Sequence, residues 1–278
     1  MKRILTIQDI SCVGKCSLTV ALPIISAFGI ETSVLPTAVL STHTAFNGFT
    51  FQDLTANLTS ITKHWKEQSI DFDAIYSGYL GSFEQLKIVS NIFNDFKTDK
   101  NFILVDPVMG DNGKLYLGFN QEFADSMAQL CSHADIIVPN LTEACFMLHE
   151  QYIPHGYDED FIKRILKSLT SLGAKKAVLT GVTFDGVNLG VYGYDREKDE
   201  YFSYFKEKLL ESFHGTGDVF ASALCGALTR GKSLKDALTI AVDFTVESIK
   251  HTLENQDRNW YGVDFETALP QLIKSINK

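Results

Sequence analysis

The chain lacks any apolar run approaching the ~20 residues that a membrane span requires, so no transmembrane helix is expected. Its first residues, MKRILTIQDIS, bring two cations but an apolar run too short, and too interrupted by Gln8 and Asp9, to read as a secretory signal. Proline is scarce at 6 of 278 residues and low-complexity tracts are missing, which excludes a disordered or repetitive protein. Basic charge is in deficit: the formal net charge is -9 and the lysines and arginines are scattered. That excludes a nucleic-acid surface and leaves any anionic ligand to local fields. Cysteine is sparse and odd in number. Of Cys12, Cys16, Cys131, Cys145 and Cys225 only the first two are near neighbours, and their spacing fits neither a zinc site nor a redox pair. Reduced thiols in the cytoplasm are the expectation. The Asn-Leu-Thr sequons at Asn57 and Asn140 then go unused.

What remains is a globular composition, 45% hydrophobic and 21% charged, on a chain long enough to bury about three quarters of its unfolded surface. Short apolar runs recur about every 30 residues: RILTI from Arg3, TSVLPT from Thr32, FDAIYSG from Phe72, NFILVDP from Asn101, ADIIVPN from Ala134 and KAVLTGV from Lys176. Each is nearly continuous in hydrophobicity, as a strand covered on both faces is. Between them lie helical periods, such as Leu86, Val89, Ile92, Phe93 and Phe96, or Phe161, Ile165, Leu166 and Leu169 with Gly173 as the stop. The alternation predicts an α/β fold with a mostly parallel central sheet and helices on both faces. LGVYGYD and EYFSYFK, parted by the polar REKD, predict an antiparallel hairpin at one edge. Helices are then expected from about Asp218 to Thr229, from Ser233 to about Leu253 and from Asp264. No linker or composition break divides residues 1–278, so a single domain is expected.

Two nucleotide motifs fail. A dinucleotide fingerprint would use Gly215 and Gly217, but Phe220 stands where the third glycine belongs and the turn lies late in the chain. A phosphate loop would use Gly14 and Lys15. There, Asp9 replaces the first glycine and Cys16 replaces the Ser or Thr that magnesium needs.

The stretch FHGTGDVFASALCGAL offers a different phosphate cradle. Gly215, Thr216 and Gly217 allow successive backbone N–H groups to face one small volume, and the helix behind them adds unpaired donors and a positive dipole end. The alternative is an ordinary turn with Asp218 as helix N-cap. A second glycine is superfluous for a cap, and Ala221, Ser222 and Ala223 are small enough for close approach of a ligand. Asp218, at a helix start, is expected to stay ionised at neutral pH. A carboxylate beside an anion cradle suits phosphoryl transfer, in which the acceptor hydroxyl loses its proton late and placement matters more than basicity.

HGTGDVFASAL resembles the C-terminal signature of the ribokinase-like superfamily. STHT (41 to 44), YSGYLGS (76 to 82), DPVMGDNGKLY (106 to 116) and VPNLTEA (138 to 144) together resemble the pyridoxal kinase family, near its pyridoxamine and pyridoxine kinase branch. The resemblance implies a ribokinase-like fold, and ATP-dependent phosphorylation of the 5′-hydroxymethyl group of pyridoxal, pyridoxine or pyridoxamine. It implies Asp218 as catalytic base and Gly215, Thr216 and Gly217 as the anion hole. Asp9, at the end of the first strand, Thr44 and Tyr79 would bind the vitamin. Relatives often carry Ser at position 9, and an acid there would suit a protonated ring nitrogen. Asp106, Asn140, Glu143 and Thr180 would bind ATP, with Asp106 and Glu143 organising Mg2+ partly through water. A cytoplasmic homodimer is implied, without nucleic-acid or membrane partners. His43 is expected to shape a loop, and His214 to point away from the cradle. Two other readings stay open, a hydroxymethylpyrimidine kinase and a binding protein that kept the fold without the reaction.

Overall fold

In the computed structural model, which describes residues 1–276, β1 (Arg3–Val13) is buried residue after residue from Ile4 to Asp9, so both of its faces are covered. It leads into α1 (Leu18–Ala27), β2 (Glu31–Thr42), the short β3 (Phe51–Asp53), α2 (Thr55–Glu67) and β4 (Ala74–Ser77). These belong to one compact unit, formed by Met1–Gly78 and the chain from Leu209 onward. Its strands are ordered β4-β1-β2-β3, with β1 parallel to both neighbours and β3 antiparallel to β2. The register slips where the step from Gln8 to Ile10 in β1 faces the longer step from Pro36 to Val39 in β2. Such an irregularity re-aims side chains, and Asp9 sits at it.

The second unit spans Tyr79–Lys208. It holds α3 (Phe83–Phe96), β5 (Phe102–Val105), the small hairpin β6 (Gly110–Asp111) and β7 (Lys114–Leu115), α4 (Gln121–Cys131) and β8 (Ile136–Ile137). α5 (Leu141–Leu148), α6 (Glu159–Ser171), β9 (Lys176–Val182), β10 (Asn188–Asp195) and β11 (Glu200–Glu207) follow. Its sheet runs β11-β10-β9-β8-β5, parallel from β5 to β9 and antiparallel through the β10–β11 hairpin. The expected parallel α/β sheet with an edge hairpin is therefore present. Helix starts here are set by side chains: Ser82, Asn120, Asn140 and Asp158 each accept an N–H from the first turn of the helix they precede. Gly173, with φ 145°, is required where α6 ends, because a Cβ there would lie 2.5 Å from the Ser132 carbonyl oxygen.

The chain then completes the first unit with α7 (Thr216–Thr229), α8 (Leu234–Glu254) and α9 (Phe265–Ile276). α7 is buried almost throughout from Val219 to Thr229 and packs against α1 and α8. It begins two residues before the expected Asp218. Its N-cap is Gly215, in the left-handed conformation, so Asp218 occupies the third helical position and does not cap the helix.

Candidate active site

The site in the first unit is built where α1 and α7 both start without a side-chain cap. Gly215, with φ 77° and ψ 1°, reverses the chain against the loop that precedes α1. A Cβ there would lie 1.8 Å from the Lys15 carbonyl oxygen. The Thr216 hydroxyl donates to the Phe213 carbonyl at 3.3 Å, which fixes the turn. Gly217 is exposed, and a Cβ added to it meets nothing within 4 Å. The first N–H groups of α7, from Thr216 to Asp218, have no acceptor inside the helix and carry its positive dipole end.

Asp218 is half-buried at this start. Its carboxyl is pushed up to about 7. Burial is the main cause; the Ser17 backbone lowers the value, and the charge of Asp9 raises it. The expectation of a fully ionised Asp218 at neutral pH is thus corrected: desolvation outweighs the helix dipole. Asp9 is buried, accepting from the Ser17 hydroxyl at 2.6 Å and the Ser11 hydroxyl at 3.1 Å. Its pKa too is raised, first by burial and against those hydrogen bonds. Asp9 does not end its strand, as the sequence suggested. It lies just past the last residue that β1 pairs with β4, Ile7, where β1 continues alongside β2 alone to Val13. The Cys16 thiol belongs to the same cluster and is pushed up to about 12, by burial first and then by the charges of Asp218 and Asp9.

Lys15, of the GK pair, does not face the turn at Gly215 with its ammonium group but lies against α9. Its ammonium is held by Asp264 and by Glu266, each at 2.8 Å. Thr44 is exposed, next to His43 on the loop after β2. The His43 ring is buried; Nε2 donates to the Tyr261 carbonyl at 3.0 Å and Nδ1 accepts the Ala45 N–H at 3.2 Å. Both nitrogens are engaged, and burial lowers the pKa of His43. The His214 ring lies 5.3 Å from it in a cluster that includes Phe46, Trp260 and Tyr261.

In the second unit the predicted nucleotide residues gather at strand ends. Asp106 follows β5 and Asn140 follows β8, its parallel neighbour, the place where open α/β sheets bind ligands. Asn140 and Glu143 form a capping box at α5: the Asn140 side chain accepts the Glu143 N–H at 3.0 Å and Glu143 accepts the Asn140 N–H at 2.9 Å. The other Glu143 oxygen accepts the Met109 N–H at 3.1 Å. Glu143 is buried and its pKa is raised by that burial, against the backbone donors of Asn140, Met109 and Gly110. Thr180, on β9, bridges Asn140 in parallel register. Tyr79 is half-buried, its ring 5.9 Å from that of Phe119. The residues that sequence reasoning passed over are Ser11 and Ser17. Their signal lay in SCVGKCS, a segment weighed only as a phosphate loop.

A family model described as phosphomethylpyrimidine kinase matches residues 29–261. A Bacteroides thetaiotaomicron crystal structure, provisionally named a phosphomethylpyrimidine kinase and obtained with pyridoxal, is 39% identical, covers 98% of this chain and 95% of its own, and superposes with a TM-score of 0.93. Pyridoxal kinase from Lactobacillus plantarum is 30% identical over 99% of this chain and 97% of its own, with a TM-score of 0.90. Pyridoxal kinase of Dictyostelium discoideum is 28% identical over 81% of this chain and 77% of its own.

Proposed function

The chain belongs to the phosphomethylpyrimidine kinase family, and from that premise we propose that it is an ATP-dependent kinase of B6 vitamers, phosphorylating the 5′-hydroxymethyl group of pyridoxal, pyridoxine or pyridoxamine. It is a phosphotransferase of the pyridoxal kinase type. The observation that carries the reading is the close approach of two uncapped helix starts, α1 and α7, at Gly215, with the Asp218 carboxyl in the first turn of α7. N–H groups from Gly215 to Gly217 stabilise charge on the transferring phosphoryl group, and Asp218 takes the alcohol proton. Asp9, Thr44 and Tyr79 receive the vitamin; Asp106, Asn140, Glu143 and Thr180 receive ATP. The whole chain acts as one kinase domain.

Mg2+ belongs to this reading with Asp106 and Glu143 as its organisers. Because both Glu143 oxygens already accept backbone N–H groups, the donor set fits an ion held there through water, as magnesium often is. When bound, the ion neutralises charge on the nucleotide phosphates. A cytoplasmic homodimer completes the proposal; the odd cysteine count supports a reducing compartment. Among the described residues no helix is long and apolar enough to cross a membrane.

The family description itself favours a second reading, a hydroxymethylpyrimidine kinase. Purified protein offered both alcohols with ATP and Mg2+ decides between them: the B6 vitamers are expected to show the larger kcat/KM. A larger value for the pyrimidine reverses the assignment, and no ADP from any alcohol returns the chain to a binding protein.

Gly217 separates fold from function. Nothing in the protein opposes a methyl group there, and alanine is the better helix former by about 1 kcal/mol. Gly217→Ala is therefore expected to melt roughly 2–4 °C higher. Its phosphoryl transfer should fall roughly 10-fold or more, because the methyl group takes space meant for ligand. Calorimetry and an ADP-release assay check the pair; an unchanged rate removes Gly217 from the cradle.

A further inference from the structure

The loop before α1 and the segment leading into α9 come from opposite ends of the chain and meet at Lys15. Its ammonium reaches Asp264 Oδ1 and Glu266 Oε2, each at 2.8 Å. The side chains of Lys15 and Asp264 are only 15% and 12% exposed, so water and salt screen this pair less than a surface one. Asp264 is itself held: its other carboxylate oxygen accepts the Asn255 amide at 2.8 Å, and its N–H donates to the Thr252 hydroxyl at 2.7 Å. The rest of Lys15 meets two glycines at close range. A Cβ on Gly215 would lie 1.8 Å from the Lys15 carbonyl oxygen, and one on Gly262 would lie 2.4 Å from the Lys15 Cβ. Tyr261, just before Gly262, gives its carbonyl to His43 Nε2 at 3.0 Å, which fixes that segment in turn. The carbonyl of Lys15 therefore supports the turn from which α7 starts, while its side chain is tied to the start of α9.

We propose that Lys15 is a positioning residue for phosphoryl transfer: ion-paired to Asp264 and Glu266, it holds its own carbonyl against Gly215 and so fixes where the first N–H groups of α7 point. The inference rests on the kinase reading above and goes beyond it by giving the start of α9 a part in the reaction. A lysine beside an anion cradle is ordinarily a phosphate ligand. The charge of this one is taken up by two acids, and it acts through its backbone. Small displacements matter at such a place, since a shift of about 1 Å at a reacting group costs on the order of 100-fold in rate. Loss of the ion pair frees the side chain, leaves the buried Asp264 carboxylate without its cation, and lets the loop before α1 withdraw from Gly215.

The test measures kcat, KM and melting temperature of wild type, Lys15→Met, Lys15→Arg and Glu266→Gln with pyridoxal and MgATP, at a temperature where each variant is folded. Lys15→Met keeps the length of the side chain and removes its charge. It should lose roughly 10–100-fold in kcat, with KM for ATP and for pyridoxal within about 2-fold of wild type. Lys15→Arg can still pair with both acids and should recover most of that loss. Glu266→Gln breaks only the more exposed half of the clamp and should lose about 2–5-fold in kcat; it carries the test if Lys15→Met does not fold. A purely structural role would lower the melting temperature and leave kcat of the folded variants unchanged, and that result overturns the inference. A rise in KM for ATP with kcat unchanged also overturns it, because Lys15 would then be a phosphate ligand. Wild-type protein that phosphorylates no vitamer overturns the kinase reading beneath it.

Discussion

Asp218→Asn is expected to turn over pyridoxal about 10²–10⁴-fold more slowly than wild type while binding nucleotide as before. The amide keeps the volume of the carboxylate and its place at the third position of α7, so fold and cradle persist. What it loses is the ability to accept the alcohol proton. In the wild type the same group sets the pH dependence: with its carboxyl pushed up to about 7 by burial, kcat should rise as pH increases through neutrality and level off above it, as protonated Asp218 gives way to carboxylate. The Asn variant should lack that limb. Stability runs the other way. A folded-state pKa above the unfolded carboxylate value means the native protein holds the extra proton, so the contribution of Asp218 to stability falls as pH rises from the unfolded value through about 7. Relative to wild type, the variant should therefore melt at a higher temperature above neutrality, and the gain should fade toward acid. Pre-steady-state ADP release and melting curves at several pH values measure both; a variant retaining most of its rate ends the assignment of Asp218 as base.

The elements legible in the sequence are those whose evidence is local. Continuous apolar runs such as KAVLTGV and the paired LGVYGYD and EYFSYFK became β9, β10 and β11, because strand burial leaves its mark on consecutive residues. Gly215 and Asp218 were legible as a pair because a left-handed glycine before a helix is a short-range signature. What sequence could not supply is contact between distant segments. Whether α7 begins at Thr216 or Asp218 depends on Gly215 reversing against Lys15, and the ionisation of Asp218 depends first on its burial and then on Ser17 and Asp9. A dipole argument uses only the helix itself, so it missed the upward push that burial gives Asp218. Asn140 and Glu143 show the converse. Their spacing fitted a cap as well as a nucleotide motif, and the capping box is formed; a nucleotide role for the same residues would be added to that duty.

Gly215→Ala is expected to have the largest combined effect, losing both turnover and stability. At φ 77° an L-residue is strained by about 1–2 kcal/mol, and its Cβ would sit 1.8 Å from the Lys15 carbonyl oxygen, a separation that requires the backbone to move. Lys15 cannot be the part that yields. Its ammonium is held at 2.8 Å by both Asp264 and Glu266, and its Cβ already lies where a Cβ on Gly262 would come within 2.4 Å. The displacement therefore falls on the start of α7, moving the N–H groups of Thr216 and Gly217 and the carboxylate of Asp218 together. A destabilisation of about 2–4 kcal/mol follows from strain plus clash, read as a melting temperature lower by roughly 5–10 °C. Turnover should drop to background even at temperatures where the variant is fully folded. Gly217→Ala, two residues on, should stay at or above the wild-type melting temperature, so the pair separates a glycine needed for the turn from one needed by the ligand. If Gly215→Ala melted with the wild type and kept its rate within a few-fold, the close approach of residue 215 to Lys15 would not be what holds the cradle.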